Sequence, residues 1–409
     1  MRIVDLAEFY SERGGGVRSY LTKQMRWAGE HGHELVVVAP GPKDETVTMP
    51  GGRVVRYAAP PMPYDPTYHV PWRVDRMRQV VRALAPDVLQ VSSPFVPALV
   101  ARSIRDVPVR AYVHHSDPIN CYVRPLAARM PPALADRLLG TAWDWLRAVC
   151  DGFDVVVVAG HGLRRELEQW GCQRVRAVPF GIEHERFGPE HGSLELRRQL
   201  LGPLADDPAA RLLAIAGRLA ADKRQAMLVQ AVVEVARRRP VALVVLGDGP
   251  ERERLRELAH PLPAATFMRF TKDPKEYATL LASVDLLVHG SACETYGFVL
   301  VETLASGTPI VVPDEGAAAS LAPPGASVVY AARGGPPAVA EAIERALEIP
   351  RDAARDAAVR AARAQPHLDE HFAALVAAYD EIRASRGGGQ GKPNQGTEIG
   401  DVLQDRHAP

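Results

Sequence analysis

Cysteine is scarce in this chain, and long apolar runs are missing from it. The 409 residues include four cysteines, with no paired spacing among them: Cys121, Cys150, Cys172 and Cys293. That scatter favours a reducing compartment and argues against a disulfide framework and against a zinc site. No apolar run approaches the ~20 residues needed to span a bilayer. Residues 1–6 are typical of a first buried strand and not of a signal peptide, so we expect a cytoplasmic protein.

The chain also has no excess of positive or negative charge. Lysine and arginine total 49, and aspartate and glutamate total 49. A balanced chain has no general attraction to polyanions, so nucleic acid is not expected as a partner. The length suffices for two domains, each with its own hydrophobic core.

Short runs rich in Val and Ile alternate with longer helical patterns along the chain. This alternation predicts an α/β fold with mostly parallel sheets that are covered on both faces. A first set of strands is predicted over 2–6, 34–39, 53–57, 87–91, 108–113, 153–158 and 174–178. A second set is predicted over 212–216, 242–246, 266–270, 285–288, 310–312 and 327–330.

A turn-rich connector over 179–189 separates the two sets and marks the predicted domain boundary. Each set should form a doubly wound, Rossmann-like domain, with a ligand cleft at the carboxyl ends of the strands. We expect the divisions to be residues 1–181, 182–366, a closing helix over 367–386, and a tail over 387–409. The tail has the composition of a disordered segment.

Residues 290–313 carry the pattern around which the second domain is organised. They predict a loop, a short helix over 297–306 and a buried strand over 309–312. The helix is apolar on nearly every face, yet Glu302 lies in its middle, and a buried carboxylate needs a partner. Glu294 stands in the preceding loop, where a helix N-terminus favours an anion. Each glutamate alone is more simply a structural or surface residue, but together they suit a nucleotide-sugar, with hydroxyls at its ends and a diphosphate between them.

The spacing Glu-x7-Glu, with Tyr-Gly-Phe and Ala-Ser-Gly-x-Pro after the two glutamates, resembles the donor signature of a known family. That family is the retaining nucleotide-sugar glycosyltransferases of the GT-B fold (family 4). The resemblance implies that Glu294 meets the sugar hydroxyls and that Gly297 and Phe298 lie beside sugar and phosphate. Glu302 would accept hydrogen bonds from the ribose. Tyr296 is a mild departure, since the family usually has Phe or Ser-Phe there.

The resemblance also implies how the two domains divide the work. It implies two Rossmann-like domains with the active site in the cleft between them, the first binding the acceptor and the second binding the donor. In the first domain, Gly15 and Gly16 match a Gly-Gly-Val loop that reaches the diphosphate. Their lack of Gly-x-Gly-x-x-Gly spacing counts against a dehydrogenase. His114, at the end of a predicted strand, matches a histidine near the transferred sugar, although His115 replaces the usual threonine.

Basic residues in the second domain match the family's phosphate-binding string Gly-Arg-Leu-x-x-x-Lys. By resemblance, Arg218 and Lys223 bind the diphosphate, where cations can neutralise charge as it builds on a leaving group. Gly247 and Gly249 match a Gly-x-Gly-Pro turn that walls the nucleotide site. Phe270 follows the third strand, where the family places backbone contacts to the base.

The resemblance implies a hexosyltransferase that acts by front-face transfer, with the departing phosphate taking the acceptor proton. The chain has no Asp-x-Asp, the manganese-binding pattern of the other major glycosyltransferase fold, so we expect no metal and no cofactor. GDP-mannose or a UDP-hexose is the expected donor, and a lipid or glycan hydroxyl the acceptor. Two alternatives stay open: a nucleotide-sugar 2-epimerase of the same fold, and a catalytically silent nucleotide-sugar-binding subunit.

A basic amphipathic pattern over 72–84 bears on the acceptor. Apolar residues recur at helical spacing, and four arginines (Arg73, Arg76, Arg78 and Arg82) share the remaining surface. Such a helix can lie on an anionic membrane or be an ordinary solvated surface helix. Both interpretations are kept.

Overall fold

The computed structural model describes residues 1–10, 15–63, 65–270, 273–291 and 293–386. The chain divides into two compact units. Unit 1 comprises Met1–Ile119, Leu126–Pro179 and the chain from Asp369 onward, and unit 2 comprises Asn120–Pro125 and Phe180–Leu368. The tail predicted over 387–409 and Gly14 of the glycine loop lie outside the described residues.

Unit 1 is built on an eight-stranded sheet. Across the sheet the strands are Val175–Ala177, Val155–Val158, Val109–Val113, Val88–Val91, Arg2–Leu6, Glu34–Gly41, Gly52–Ala58 and Glu45–Met49. All pairs are parallel except the last, which is antiparallel. The seven predicted strands of this set are confirmed, each end within two residues.

Two additions to unit 1 were not predicted. Glu45–Met49 has mostly exposed side chains at the edge of the sheet, so it lacks the apolar run that marks a buried strand. Pro61–Met62 and Asp65–His69 form a separate antiparallel hairpin, in a stretch where no strand was predicted. Both additions are polar or proline-containing edge elements, for which periodicity gives little information.

The helices of unit 1 cover both faces of its sheet, as in other doubly wound folds. They are Gly16–Glu30, Val74–Leu84, Val96–Ser103, Pro132–Cys150 and His161–Gln169. The π-helix Ile119–Val123 and the four-residue α-helix Arg124–Ala127 lie between the third and fourth of them in sequence, and their residues Asn120–Pro125 belong to unit 2. The last helix, Leu368–Arg386, belongs to this unit from Asp369 onward. It packs there through buried side chains, and the Tyr379 hydroxyl donates to Oε1 of Gln90 at 2.8 Å.

Unit 2 has a six-stranded, wholly parallel sheet. Its strand order is Ala265–Met268, Val241–Leu246, Arg211–Ala216, Leu286–Val288, Ile310–Pro313 and Ser327–Tyr330. All six predicted strands are confirmed. Every residue of Val241–Leu246 is buried, which explains why this strand is a continuous apolar run.

The helices of unit 2 flank this sheet. They are Leu194–Leu201, Gln225–Ala236, Arg252–Ala259, Pro274–Ser283, Phe298–Ala305, Gly316–Ser320, Gly335–Leu347 and Arg351–Arg363. Single turns of 3₁₀ helix occur at His184–Arg186, Pro189–His191, Gly202–Leu204, Ala221–Lys223 and Ala332–Gly334. In the described part of the chain no helix is both long and apolar enough to cross a membrane.

The short helix predicted over 297–306 is confirmed as Phe298–Ala305. It begins after Gly297, whose φ of +83° is a left-handed conformation that glycine adopts without a Cβ penalty. Leu300, Val301 and Leu304 are buried on its inner face. Its N-terminus thus lies directly after the loop that carries Glu294.

Candidate functional site

The candidate site of unit 2 lies where the strand order of its sheet reverses. Arg211–Ala216 is the first strand of the unit in sequence, and it lies between Val241–Leu246 and Leu286–Val288. Doubly wound sheets bind ligands outside the carboxyl ends of the strands at such a switch point. The loops that leave Arg211–Ala216 and Leu286–Val288 carry Lys223 and Glu294, respectively.

Lys223 and Glu294 form an ion pair between these two loops. Nζ of Lys223 lies 2.5 Å from Oε1 of Glu294 and 3.3 Å from Oγ of Ser291. Burial raises the pKa of Glu294, but Lys223 and His289 outweigh it and bring that pKa to about 2. Burial lowers the pKa of Lys223, and Glu294 outweighs this, so the pKa is raised. Both groups therefore remain charged at neutral pH.

His289 is a third polar group at this point, and the sequence analysis did not single it out. It follows Leu286–Val288 directly, is 5% exposed, and has its Nε2 3.6 Å from Oε1 of Glu294. Burial lowers the pKa of His289, the Glu294 charge raises it, and the Lys223 charge lowers it. The resulting pKa is about 4. The ring is thus neutral at pH 7. Its position at the end of a buried strand, five residues before Glu294, is the feature that could have identified it.

The loop that carries Arg218 and Lys223 is held by Gln225, at the start of the next helix. Nε2 of Gln225 donates to the carbonyl of Arg218 at 2.8 Å, and its Oε1 accepts from the amide of Ala220 at 3.2 Å. The Arg218 side chain donates to Asp222 at 3.0 Å and is 38% exposed. The backbone of the loop is fixed while the guanidinium of Arg218 keeps an accessible surface.

Gly247 and Gly249 pack against the same loop at the end of Val241–Leu246. A Cβ on Gly247 would lie 2.0 Å from the carbonyl oxygen of Gly217, and one on Gly249 would lie 2.3 Å from that of Leu219. Real Cβ atoms essentially never come within 3.0 Å of such a backbone oxygen, so any other residue at either place would force the Gly217–Leu219 backbone to move. The two glycines shape the wall beside the loop and leave its backbone in place.

Tyr296 and Phe298 flank Gly297 and pack together on Phe180. The ring centroids of Tyr296 and Phe298 are 4.9 Å apart, and that of Phe180 is 5.4 Å from Tyr296 and 5.7 Å from Phe298. Tyr296 is 5% exposed. This aromatic cluster fixes the backbone between Glu294 and the helix Phe298–Ala305.

Glu302 receives a hydrogen bond from a residue that the sequence analysis did not single out. The hydroxyl of Tyr277 donates to Oε2 of Glu302 at 2.8 Å. The ring of Tyr277 also contacts that of Phe270, with centroids 6.1 Å apart. Burial, followed by the Glu302 charge, raises the pKa of the Tyr277 phenol. Tyr277 thus connects two of the predicted nucleotide-binding residues, Glu302 and Phe270, which are far apart in sequence.

The predicted residues of unit 1 are at the ends of its elements. His114 follows Val109–Val113, is 1% exposed, and its two ring nitrogens have no hydrogen-bond partner among the described residues. Burial lowers its pKa against the opposing charge of Asp117. Gly15 caps the helix that Gly16 begins, and a Cβ on either would meet nothing within 4 Å. Packing within unit 1 therefore does not require glycine at these two places.

Across residues 1–10, 15–63, 65–270, 273–291 and 293–386, no group of three or more His, Cys, Asp or Glu side chains could hold a metal ion. The charged groups described at this site are the Lys223–Glu294 ion pair and Arg218.

The sequence is similar to that of known proteins along most of the chain. A model described as Glycosyltransferase Family 4 matches residues 14–186, and one described as Glycosyl transferases group 1 matches residues 210–348. The GDP-mannose-dependent alpha-(1-6)-phosphatidylinositol dimannoside mannosyltransferase of Mycobacterium tuberculosis is 30% identical over 76% of this chain and 79% of its own length. A GDP-mannose-dependent alpha-mannosyltransferase of Corynebacterium glutamicum is 27% identical over 77% of this chain and 73% of its own.

Solved structures with the same fold include proteins of distant sequence. Sucrose-phosphate synthase from Thermosynechococcus elongatus has a TM-score of 0.74 and 17% identity, over 94% of this chain and 100% of that one. Anabaena Alr3699/HepE in complex with UDP-glucose has a TM-score of 0.67 and 19% identity, over 92% of this chain and 100% of that one. At such identities the likeness shows the fold alone.

Proposed function

Because the chain belongs to the GT-B glycosyltransferases, with a family 4 domain followed by a group 1 domain, we propose that it transfers mannose from GDP-mannose to a glycolipid. The acceptor is a hydroxyl of an inositol- or glycerol-lipid, and the anomeric configuration is retained. The names of the relatives support GDP-mannose as donor and a phosphatidylinositol mannoside as acceptor.

The Lys223–Glu294 pair at the switch point of unit 2 is the observation that carries this proposal. The pair presents a cation beside a carboxylate within one small region. A nucleotide-sugar offers the matching groups, because its diphosphate binds a cation and its sugar hydroxyls donate to a carboxylate. Lys223 holds Glu294 ionised, so the carboxylate accepts from the sugar at neutral pH.

Each part of the donor has its own residues in this scheme. The Tyr277–Glu302 pair binds the ribose of GDP, and Phe270 lies next to it on the side of the base. Arg218, Lys223 and the N-terminus of Phe298–Ala305 bind the diphosphate. Glu294 binds the mannose. The family resemblance is the support for His114 and the Gly15–Gly16 turn, both in unit 1, as further candidates for the sugar and the diphosphate respectively.

The reaction proceeds by front-face attack in this proposal. The C1–O bond to the diphosphate breaks as the acceptor oxygen approaches from the same face, and the departing phosphate oxygen takes the acceptor proton. Arg218 and Lys223 stabilise the charge that grows on the diphosphate. A double displacement would need two carboxylates placed as in retaining glycosidases, whereas Glu294 is paired with Lys223. No metal is required, since protein cations hold the leaving group.

A transfer assay tests the proposal directly. Radiolabelled GDP-mannose, UDP-glucose and UDP-galactose would each be supplied with phosphatidylinositol mannosides in detergent micelles, with and without EDTA. We expect label in the lipid only from GDP-mannose, at equal rates in both conditions, and an α-linkage by NMR. Transfer from a UDP-sugar alone, a β-linkage or loss of activity in EDTA would contradict the donor, the stereochemistry or the metal independence, respectively.

The two alternative functions give different results in the same assay. A 2-epimerase would convert a nucleotide-sugar to its epimer with no acceptor present. A silent binding subunit would bind the donor without turnover on any acceptor. Cations beside a leaving diphosphate favour turnover over a silent subunit. An epimerase would also need several carboxylates at the sugar for elimination and re-addition, whereas Glu294 is already paired with Lys223.

Contact with an anionic membrane is part of this proposal. The helix Val74–Leu84 buries Met77, Val80, Val81 and Leu84, and leaves Arg82 exposed. Arg78 pairs with Asp75 at 3.0 Å, which reduces the charge available to lipid. We expect sedimentation with vesicles that contain phosphatidylinositol and weaker sedimentation after Arg82→Glu. Equal sedimentation of both proteins would leave a solvated surface helix as the correct interpretation.

A further inference from the structure

His289 is a buried histidine whose Nε2 has no hydrogen-bond partner in the part of the chain that the structure describes. An unsatisfied buried polar atom destabilises a fold and calls for an explanation such as a ligand. The atom faces Glu294 at 3.6 Å, which is longer than the 2.7–3.2 Å of an ordinary N–H···O hydrogen bond. The two groups are therefore adjacent but not bonded to each other.

The backbone that carries the His289 ring is anchored by two hydrogen bonds. The amide of His289 donates to the carbonyl of Val311 at 2.8 Å, and its carbonyl accepts from the Tyr330 hydroxyl at 2.9 Å. Both partners are on the neighbouring strands Ile310–Pro313 and Ser327–Tyr330. Glu294 is fixed in its turn by Lys223 at 2.5 Å. His289 and Glu294 are thus each anchored by separate contacts.

A single hydroxyl group can bridge an imidazole N–H and a carboxylate whose N and O atoms are this far apart. Its oxygen accepts from the N–H, and its hydrogen is donated to the carboxylate, so a single hydroxyl satisfies both protein groups. A neutral imidazole supplies the donor without adding charge, and the ionised carboxylate supplies the acceptor. A methyl or methylene group in that place would leave Nε2 of His289 unsatisfied, while Glu294 would keep its contact with Lys223.

We propose that His289 and Glu294 together bind one hydroxyl of the transferred sugar, with Nε2–H of His289 as donor and Oε1 of Glu294 as acceptor. The inference rests on the proposed function and extends it to a residue that determines donor specificity. A site that pairs a buried donor and acceptor with a hydroxyl discriminates strongly against analogues that lack this hydroxyl. His289 therefore selects sugars that carry a hydroxyl at one particular carbon.

The test crosses two His289 variants with a set of donors. His289→Met removes the N–H at similar volume, and His289→Gln keeps an amide N–H near the same place. Each protein is assayed for kcat/KM with GDP-mannose and with its 2-, 3-, 4- and 6-deoxy forms. With GDP-mannose, we expect His289→Met to lose about ten- to a hundredfold and His289→Gln to stay within about threefold of wild type.

The deoxy donors identify the hydroxyl. For one of the four deoxy donors, wild type and His289→Met should have the same kcat/KM within about twofold, because that donor lacks the hydroxyl that His289 binds. For the other three the difference between the proteins should persist. A difference that persists with all four donors would overturn the proposal and leave His289 as a residue that only positions Glu294.

A binding measurement separates this inference from the proposed function. Calorimetric titration should show unchanged affinity for GDP and reduced affinity for GDP-mannose in His289→Met; an equal loss for both would contradict the proposal. His260→Met, at an exposed position, should change neither the affinity for GDP nor the affinity for GDP-mannose. If wild type uses UDP-glucose and not GDP-mannose, the proposed donor is wrong, and the same comparison on UDP-glucose and its deoxy forms decides the role of His289.

Discussion

The side chains of Lys223 and Glu294 meet 2.5 Å apart, although 71 positions separate them in sequence. They come from two loops that follow neighbouring parallel strands, and only 24% and 18% of the side chains are exposed. Topology alone brings them together, because carboxyl ends of parallel strands share one edge of the sheet. The pair has consequences for stability as well as for ligand binding.

Removing the cation should destabilise unit 2. Lys223→Met leaves Glu294 without its counter-charge, and we expect a loss of about 2 kcal/mol in the free energy of unfolding, below the 3–5 kcal/mol for fully buried pairs. Because the folded pKa of Glu294 is lowered to about 2, this contribution is complete above pH 4.5 and disappears as the pH falls toward 2. Urea titrations at pH 7 measure it. The double variant with Glu294→Gln should recover part of the loss, and no recovery would contradict the pairing.

Buried His371 should make unit 1 sensitive to acid. Nδ1 lies 3.1 Å from the carbonyl of Pro179, and Nε2 lies 2.8 Å from the Tyr20 hydroxyl, so Nδ1 donates and Nε2 accepts. Burial lowers the pKa to about 4, and the Pro179 contact only partly opposes this. The unfolded chain therefore binds more protons between pH 4 and 6.5, and the contribution of His371 is complete above pH 6.5 and is lost as the pH falls toward 4.

Stability measured against pH checks this expectation. His371→Gln cannot titrate, so its unfolding free energy should fall less steeply below pH 6.5, by up to about 1.4 kcal/mol per pH unit. His260→Gln, at an exposed position, should follow wild type. Parallel curves for His371→Gln and wild type would show that the buried ring does not titrate on unfolding.

The regular elements were predictable because their physical pattern is local. Val241–Leu246 is apolar at every position and buried at every position, and Phe298–Ala305 is bounded by Gly297 and Ser306. The edge strand Glu45–Met49 was missed because an exposed strand has no apolar pattern to detect. Local periodicity thus identifies buried elements and gives little information about exposed edge strands.

The site was only partly predictable, for a related reason. Glu294, Lys223 and Glu302 were identified from motif spacing, but their partners depend on which strands are neighbours in the sheet. Tyr277 and His289 belong to no short motif, and their roles follow from contacts with residues 25 and 5 positions away. A sequence gives the ligands of a known motif more readily than the residues that orient them.

Arg218 and Lys223 should differ from other cations of unit 2 in their effect on turnover. Changing either to Ala should lower kcat by about 10²-fold or more, because charge on the diphosphate grows in the transition state. Arg237 is exposed just beyond the end of Gln225–Ala236, and Arg237→Ala should stay near wild type. The measurement is steady-state transfer with saturating donor. Similar small effects at all three positions would contradict the phosphate assignment.

Cys293 should be the thiol that reacts before the buried pair Cys150 and Cys172. A hydrogen bond from Cys121 lowers its pKa, burial opposes this, and Lys223 lowers it further. Cys150 and Cys172 are 0% and 3% exposed. Iodoacetamide at pH 7.5, followed by peptide mass spectrometry, should find Cys293 labelled before Cys150 and Cys172, with loss of transfer because Glu294 is adjacent. Lys223→Met should slow the labelling, and earlier labelling of Cys150 would contradict the prediction.

The two glutamates should separate nucleotide binding from sugar binding. Glu302 is proposed to bind the ribose, which donor and released GDP share, whereas Glu294 is proposed to contact only the sugar. Glu302→Ala should weaken GDP and GDP-mannose together, by roughly 1.5–3 kcal/mol or about ten- to a hundredfold. Tyr277→Phe, which removes the 2.8 Å hydrogen bond to Glu302, should weaken the binding of both ligands less than Glu302→Ala does, and by equal factors.

Glu294→Ala should leave GDP affinity nearly unchanged while transfer collapses, and all these effects should persist in EDTA. Calorimetric titration of each variant beside a transfer assay measures them. If Glu294→Ala loses GDP affinity as severely as Glu302→Ala does, the two carboxylates do not have separate roles.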